Sequence, residues 1–155
     1  MSVKSIPEGY HTATPYLIIN GAAEAIEFYQ KAFGATELFR FPAAEGKIGH
    51  AEIKIGDSPI MLADEFAEMG YKGPKALGGS SVSIMIYLDD VDTVFNRAVE
   101  AGATVKEAVS DKFYGDRVGT LVDPFGHIWH VATHKEDLSP EEMQARAQAL
   151  SAGNS

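Results

Sequence analysis

Cysteine is absent from this chain, so neither a disulfide framework nor a thiolate-bound metal can be part of it. Basic residues are in the minority: 13 Lys and Arg against 22 Asp and Glu give a formal charge of −9. That balance argues against nucleic acid or an anionic membrane surface as the main partner. Long apolar runs are missing too, and none approaches the length that a membrane-spanning helix requires. The opening "MSVKSIPEGYHTATPY" has no continuous apolar stretch behind a basic one, so no secretory signal is expected. These absences lead to the expectation of a soluble, cytoplasmic protein.

What the chain does contain is a core and a repeat. Apolar residues make up 45% of the 155, enough for a single domain over 1–155 built from two small modules. "TPYLIINGAAEAIEFYQKAFGAT" and "SIMIYLDDVDTVFNRAVEAGAT" follow one plan: apolar strand, polar turn, amphipathic helix, then Gly-Ala-Thr. Ala22, Ala25, Ile26, Tyr29, Ala32 and Phe33 form one apolar stripe at helical spacing. Val91, Val94, Phe95 and Ala98 repeat it 69 residues later, whereas the terminating Gly34 and Gly102 are 68 apart. Glycine at both ends suits a left-handed helix stop.

Downstream, "HAEIKIGDSPIMLADE" and "GTLVDPFGHIWHVATH" each read as strand, tight turn, strand. The fold class expected is therefore α+β: two tandem β-α-β-β-β modules, about 10–64 and 82–134, forming a cleft-like half-barrel. Residues 65–81, rich in Gly, Pro and Lys, read as a connecting loop. Ser139 before Pro140 and an early Glu pair predict a short terminal helix over about 139–150. One module cannot bury both faces of its sheet. The two should pair, with helices outside and a concave cavity inside.

Strand parity sorts the residues between those faces. Leu17, Ile19, Ile84, Ile86 and Leu88 should back onto the helices, leaving Thr14, Tyr16, Ile18, Ser83, Met85 and Tyr87 for the cavity. Ala51, Ile53 and Ile55 form the apolar side of their strand, so His50, Glu52 and Lys54 face either the cavity or solvent.

With "AIEFYQKAFGAT" early and "YGDRVGTLVDPFGHIW" late, this duplicated plan resembles the vicinal oxygen chelate superfamily, most nearly its small PhnB-like, glyoxalase/bleomycin-resistance members. The resemblance covers roughly residues 10 to 135. In metal-dependent members, four cavity-facing side chains hold a divalent ion, one from the first and one from the last strand of each module. Those positions match Thr14, Ser83, Leu62 (or Met61 if the register slips) and His130. Only His130 is a ligand type, and one imidazole holds an ion weakly. The resemblance thus implies no cofactor or a weakly bound divalent metal, a small-molecule ligand, and a homodimer whose partner completes the cavity.

His127, His130 and His134 would cluster on a helix, but on a strand His127 points away from the other two. His130 is the candidate metal ligand or catalytic base. His127 and His134 are expected at the surface, and Trp129 in the core. His11 sits three residues before Thr14, where a strand-edge role or an inward turn is open. His50 with Glu52 supplies an acid/base or ligand pair, or else a wet outer face. In "KFYGDRVG", Tyr114 could stack on a flat ligand and Arg117 could clamp a carboxylate or phosphate, unless Asp116 holds Arg117 in a structural turn.

Two functions follow. One is a module binding an aromatic or drug-like molecule through Thr14, Tyr16, His50, Glu52, Met85, Tyr87, Tyr114 and Arg117, with the metal site largely lost. The other is a metal-dependent lyase, isomerase or dioxygenase that uses His130.

Overall fold

Alternation of apolar and polar residues makes the strands, and the 3.6-residue stripe makes the two main helices. The computed structural model describes residues 2–153. Module one runs β1 (Tyr16–Ile19), α1 (Ala22–Phe33), β2 (Thr36–Pro42), β3 (Ile48–Ile55) and β4 (Ser58–Asp64). The connection that follows contains a short helix, α2 (Pro74–Leu77). Module two runs β5 (Ser83–Tyr87), α3 (Val91–Glu100), β6 (Thr104–Asp111), β7 (Asp116–Val122) and β8 (Ile128–His134), followed by α4 (Pro140–Gly153). The result is an α+β fold of two βαβββ modules, each with its own four-stranded sheet, and no closed barrel. Strand order is β1-β4-β3-β2 in one sheet and β5-β8-β7-β6 in the other, with β1 and β5 parallel to their neighbours. No helix among the described residues is long and apolar enough to cross a membrane.

The expected parity holds on the core side. Leu17, Ile19, Ala51, Ile53 and Ile55 are buried, and Ile84, Ile86 and Leu88 pack on the same core. α1 and α3 lie on this side of both sheets and pack against one another. Arg97 of α3 donates to the Ala32 carbonyl at 3.0 Å. Gly119 on β7 permits the close approach of α3, since a Cβ there would sit 2.5 Å from the Phe95 ring.

Three details differ from the expectations. Residues 65–81 are more than a loop: Phe66 and Tyr71 form a bridge, and Pro74 starts α2 because its missing N–H costs nothing at a first helical position. Gly34 takes the left-handed conformation, but α3 ends on right-handed Ala101. Gly102 follows at φ +123, so the slip of one residue between the modules changes how the helix stops. The last helix extends to Gly153 and buries no residue.

The two modules are tied together by aromatic packing around one carboxylate. Tyr29 and Phe33 of α1 lie on Trp129 of β8, with ring centroids 5.1 and 4.8 Å apart. Asp123, in the β7–β8 turn, accepts from the Tyr29 hydroxyl at 2.6 Å and from Trp129 Nε1 at 2.9 Å. It also accepts from the backbone N–H groups of Phe125 and His127. Burial and the adjacent carboxylate push the Tyr29 phenol well above its ordinary range, so it remains a donor. Removing the carboxylate would leave two buried donors unpaired, at about 1–3 kcal/mol each. Asp123→Ala should therefore lower the unfolding free energy in urea by about 3 kcal/mol, while Asp57→Ala in the exposed β3–β4 turn changes it by less than about 0.5 kcal/mol. A loss below about 1 kcal/mol for Asp123→Ala would show that the modules do not depend on it.

Candidate functional site

The faces turned away from the helices carry the candidate chemistry. Register pairs Tyr16 with Met61, Met61 with Glu52, and Glu52 with Phe39 across the first sheet. The same row in the second sheet is Met85, His130, Thr120 and Glu107. Backbone symmetry thus places unlike side chains in equivalent positions. Leu62 points the other way and is fully buried, so the position matching the family's metal site on β4 is Met61.

On the module-one face, Tyr16, His50 and Glu52 form a chain. Tyr16 Oη lies 2.7 Å from His50 Nδ1, and His50 Nε2 lies 2.7 Å from Glu52 Oε2. The strand alternation that puts Ala51 and Ile53 into the core turns His50 and Glu52 to this side. Glu52 is buried, and burial holds its carboxyl above the usual carboxylate range. Phe39 and Phe41 flank the chain, with the Phe39 ring 6.0 Å from the His50 ring. Beside Tyr16 is a cavity of about 400 Å³ lined by Ile18, Gly49, Asp64, Phe66, Met69 and Tyr71. Burial, and secondarily Tyr71, raises the Tyr16 phenol. The Asp64 carboxylate is fully engaged, accepting from the N–H groups of Gly21, Ala22 and Ile48 at 2.7–3.0 Å.

On the module-two face His130 is held at both nitrogens. Nδ1 lies 2.9 Å from Thr120 Oγ1 and Nε2 lies 2.9 Å from Ser83 Oγ. Further along, the Tyr87 hydroxyl donates to Asp116 at 2.9 Å. His134 bridges Asp116 and Asp137 at 2.7 and 2.8 Å. The hydrogen bond to Asp116 first, and burial second, raise the Tyr87 phenol, with nearby Tyr114 adding least. Thr14, Met85 and Tyr87 line a second cavity of about 310 Å³ where the N-terminal segment meets β5, and exposed His11 lines it as well.

The single cavity expected from parity is thus two. Tyr16, His50 and Glu52 come together; Thr14, Met85 and Tyr87 come together elsewhere. Arg117 joins neither group. Alternation turns it toward α3, where it makes two hydrogen bonds to Asp92, at 2.8 and 2.9 Å, and one to Asp111. Asp116 therefore does not hold Arg117, because the two side chains leave opposite faces of β7. His127 is half-buried and links the modules, with Nε2 3.0 Å from the Ile18 carbonyl. Trp129 lies wholly in the core.

The donor set at the family positions does not fit a divalent ion. Thr14 precedes β1 and faces the second cavity, Met61 offers a thioether, and the Ser83 hydroxyl is bonded to His130. Among the described residues no three His, Asp or Glu side chains gather into a potential ion site.

The model of the Glyoxalase/Bleomycin resistance protein/Dioxygenase superfamily matches residues 10–131. The chain belongs to that superfamily. It is 44% identical over 135 residues to the uncharacterised Rv0887c of Mycobacterium tuberculosis, covering 85% of this chain and 79% of that protein. The solved structure of At5g48480 from Arabidopsis thaliana superposes with a TM-score of 0.66 at 25% identity, covering 79% of this chain and 98% of the other. The PhnB protein from Bacillus cereus shares the fold at a TM-score of 0.63 and 18% identity, over 79% of this chain and 99% of its own.

Phe39, Phe41, Phe66, Met69 and Tyr71 were not among the residues singled out from sequence. The alternation in "LFRF" carries a signal for Phe39 and Phe41. Nothing local marks Tyr71, which reaches the site through the 66–71 bridge.

Hydrogen bonding to the carboxylate of Asp116 first, and of Asp137 second, holds the His134 imidazole above its ordinary range. A raised histidine contributes stability that is fully present below its unfolded pKa and is lost as pH rises through the folded one. Titration followed by NMR should therefore place the His134 midpoint above that of a free histidine. Asp116→Asn should bring it down; an unchanged midpoint in that variant would refute the pairing.

Proposed function

We propose that this protein binds a small, flat, partly polar organic molecule of aromatic or drug-like character on the module-one sheet face, without a tightly held metal. The observation that carries this reading is the Tyr16–His50–Glu52 chain set among exposed aromatic rings. Tyr16, Phe41 and Tyr71 are 48%, 61% and 51% exposed, and the cavity beside Tyr16 holds about 400 Å³. Pockets for organic ligands combine such apolar walls with a few converging polar groups. The poor donor set at Thr14, Met61 and Ser83 supports a metal-free site. His130 is the reason to keep a metal-dependent lyase, isomerase or dioxygenase as the second reading.

The same proposal includes a cytoplasmic homodimer. Exposed Phe41, Met69, Leu77 and Val82 would be covered by a second copy, and the edges of both sheets need protection.

Calorimetry with a panel of planar aromatic acids and quinones should yield a ligand whose affinity falls about fivefold in Tyr71→Ala, the loss of roughly 1 kcal/mol of ring contact. Arg117→Ala should bind as the parent does. A ligand insensitive to Tyr71→Ala and weakened by Arg117→Ala would move the site elsewhere. Elemental analysis of the purified protein should find far less than one metal ion per chain. Stoichiometric metal that disappears in His130→Ala would establish the second reading instead.

A further inference from the structure

We propose that Tyr16, His50 and Glu52 form a proton relay that takes the proton from an acidic hydroxyl, phenolic or enolic, of a bound aromatic ligand and holds that ligand as its anion. The inference rests on the ligand-binding reading above and names the chemistry of the same site.

The geometry supplies an unbroken path. Tyr16 Oη stands 2.7 Å from His50 Nδ1, and His50 Nε2 stands 2.7 Å from Glu52 Oε2. With His50 neutral, its Nε2–H donates to Glu52 and its Nδ1 accepts the Tyr16 proton. When a ligand hydroxyl meets Tyr16, the ligand proton passes to Tyr16 Oη as the Tyr16 proton passes to Nδ1. The ligand O–H bond breaks and an N–H bond forms on His50. The products are a ligand oxyanion accepting from the Tyr16 hydroxyl, and an imidazolium paired with the Glu52 carboxylate. No atom or electron is gained or lost.

Burial of Glu52 favours this arrangement. Glu52 is buried on that sheet face, and a carboxylate above its usual range is a stronger acceptor for the imidazolium. Tyr16 is raised as well, so the proton rests on it while the charge moves beyond it. The groups that meet His50 are Tyr16 from β1, Phe39 and Phe41 from β2 and Glu52 from β3. Met61 of β4 stands between Tyr16 and Glu52, and Tyr71 faces Tyr16 from the 66–71 turn. Lys47 sits over the Phe66 ring, 6.0 Å from its centroid, bringing a cation to the margin of the cavity. The carboxylate lining that cavity, Asp64, accepts from three backbone N–H groups, of Gly21, Ala22 and Ile48.

The probe is para-nitrophenol, whose anion is coloured, titrated by absorbance with and without excess protein. Bound to the wild-type chain, its ionisation constant should rise at least tenfold over that of the free probe. Tyr16→Phe, which removes one oxygen, and Glu52→Gln should each abolish most of that rise, whereas His11→Gln, outside this face, should leave it. Binding of the probe with an unshifted titration would overturn the relay alone. A full shift in Tyr16→Phe would do the same. Failure of the wild-type protein to bind either para-nitrophenol or any of the planar aromatics would overturn the relay together with the ligand-binding reading.

Discussion

The carboxylate of Asp123 joins the two halves of this molecule. It receives the hydroxyl of Tyr29 from the helix of one module and the indole N–H of Trp129 from the last strand of the other, and it also shapes the β7–β8 turn. A buried charge is tolerated only when hydrogen bonds replace the water it has lost, and here four donors do so. With that point fixed, α1 lies on the core side of the first sheet and reaches Trp129 of the second, and Tyr29, Phe33 and Trp129 form one aromatic cluster. The opposite faces of the sheets are left free for other chemistry.

Those free faces show how a duplicated backbone can hold unlike sites. Equivalent rows carry Tyr16, Met61, Glu52 and Phe39 on one sheet and Met85, His130, Thr120 and Glu107 on the other. β1, β4 and β3 pair as β5, β8 and β7 do, whereas β2 and β6 carry register shifts at different places. Module one gathers rings around a phenol, an imidazole and a carboxylate. Module two gathers hydroxyls around His130 and carboxylates around His134. Membership of the superfamily does not choose between these faces, because a fold positions chemistry without specifying it.

The peripheral segments follow a different logic from the modules. α4 has no apolar stripe and buries nothing; it is started by Ser139, whose hydroxyl accepts from the N–H of Glu142, and held by Arg146 on Glu136 and the Phe113 carbonyl. Exposed pairs of that kind contribute little individually. The 66–71 turn, by contrast, carries Phe66, Met69 and Tyr71 to the edge of the first sheet, and so helps shape the cavity beside Tyr16.

Much of this architecture was legible in the residues themselves. The repeat, the helical stripes of Ala22–Phe33 and Val91–Ala98, the N-cap at Ser139 and the inward faces of β1, β3 and β5 are local patterns, set by backbone periodicity and capping, which operate over a few residues. Parity also placed His50 and Glu52 on one face and separated His127 from His130. Other features depended on tertiary structure. Whether Met61 or Leu62 faced outward turned on strand register, and Arg117 went to Asp92 because α3 packs beside β7. The expected cavity divided in two, since Thr14 precedes β1 and meets β5 while Tyr16 meets His50 and the 66–71 turn. Asp123 looked like an ordinary turn residue until Tyr29, 94 positions away, reached it. Periodicity assigns a side chain to a face, but its partner is chosen by chain segments far away in sequence, and only the folded packing brings those together.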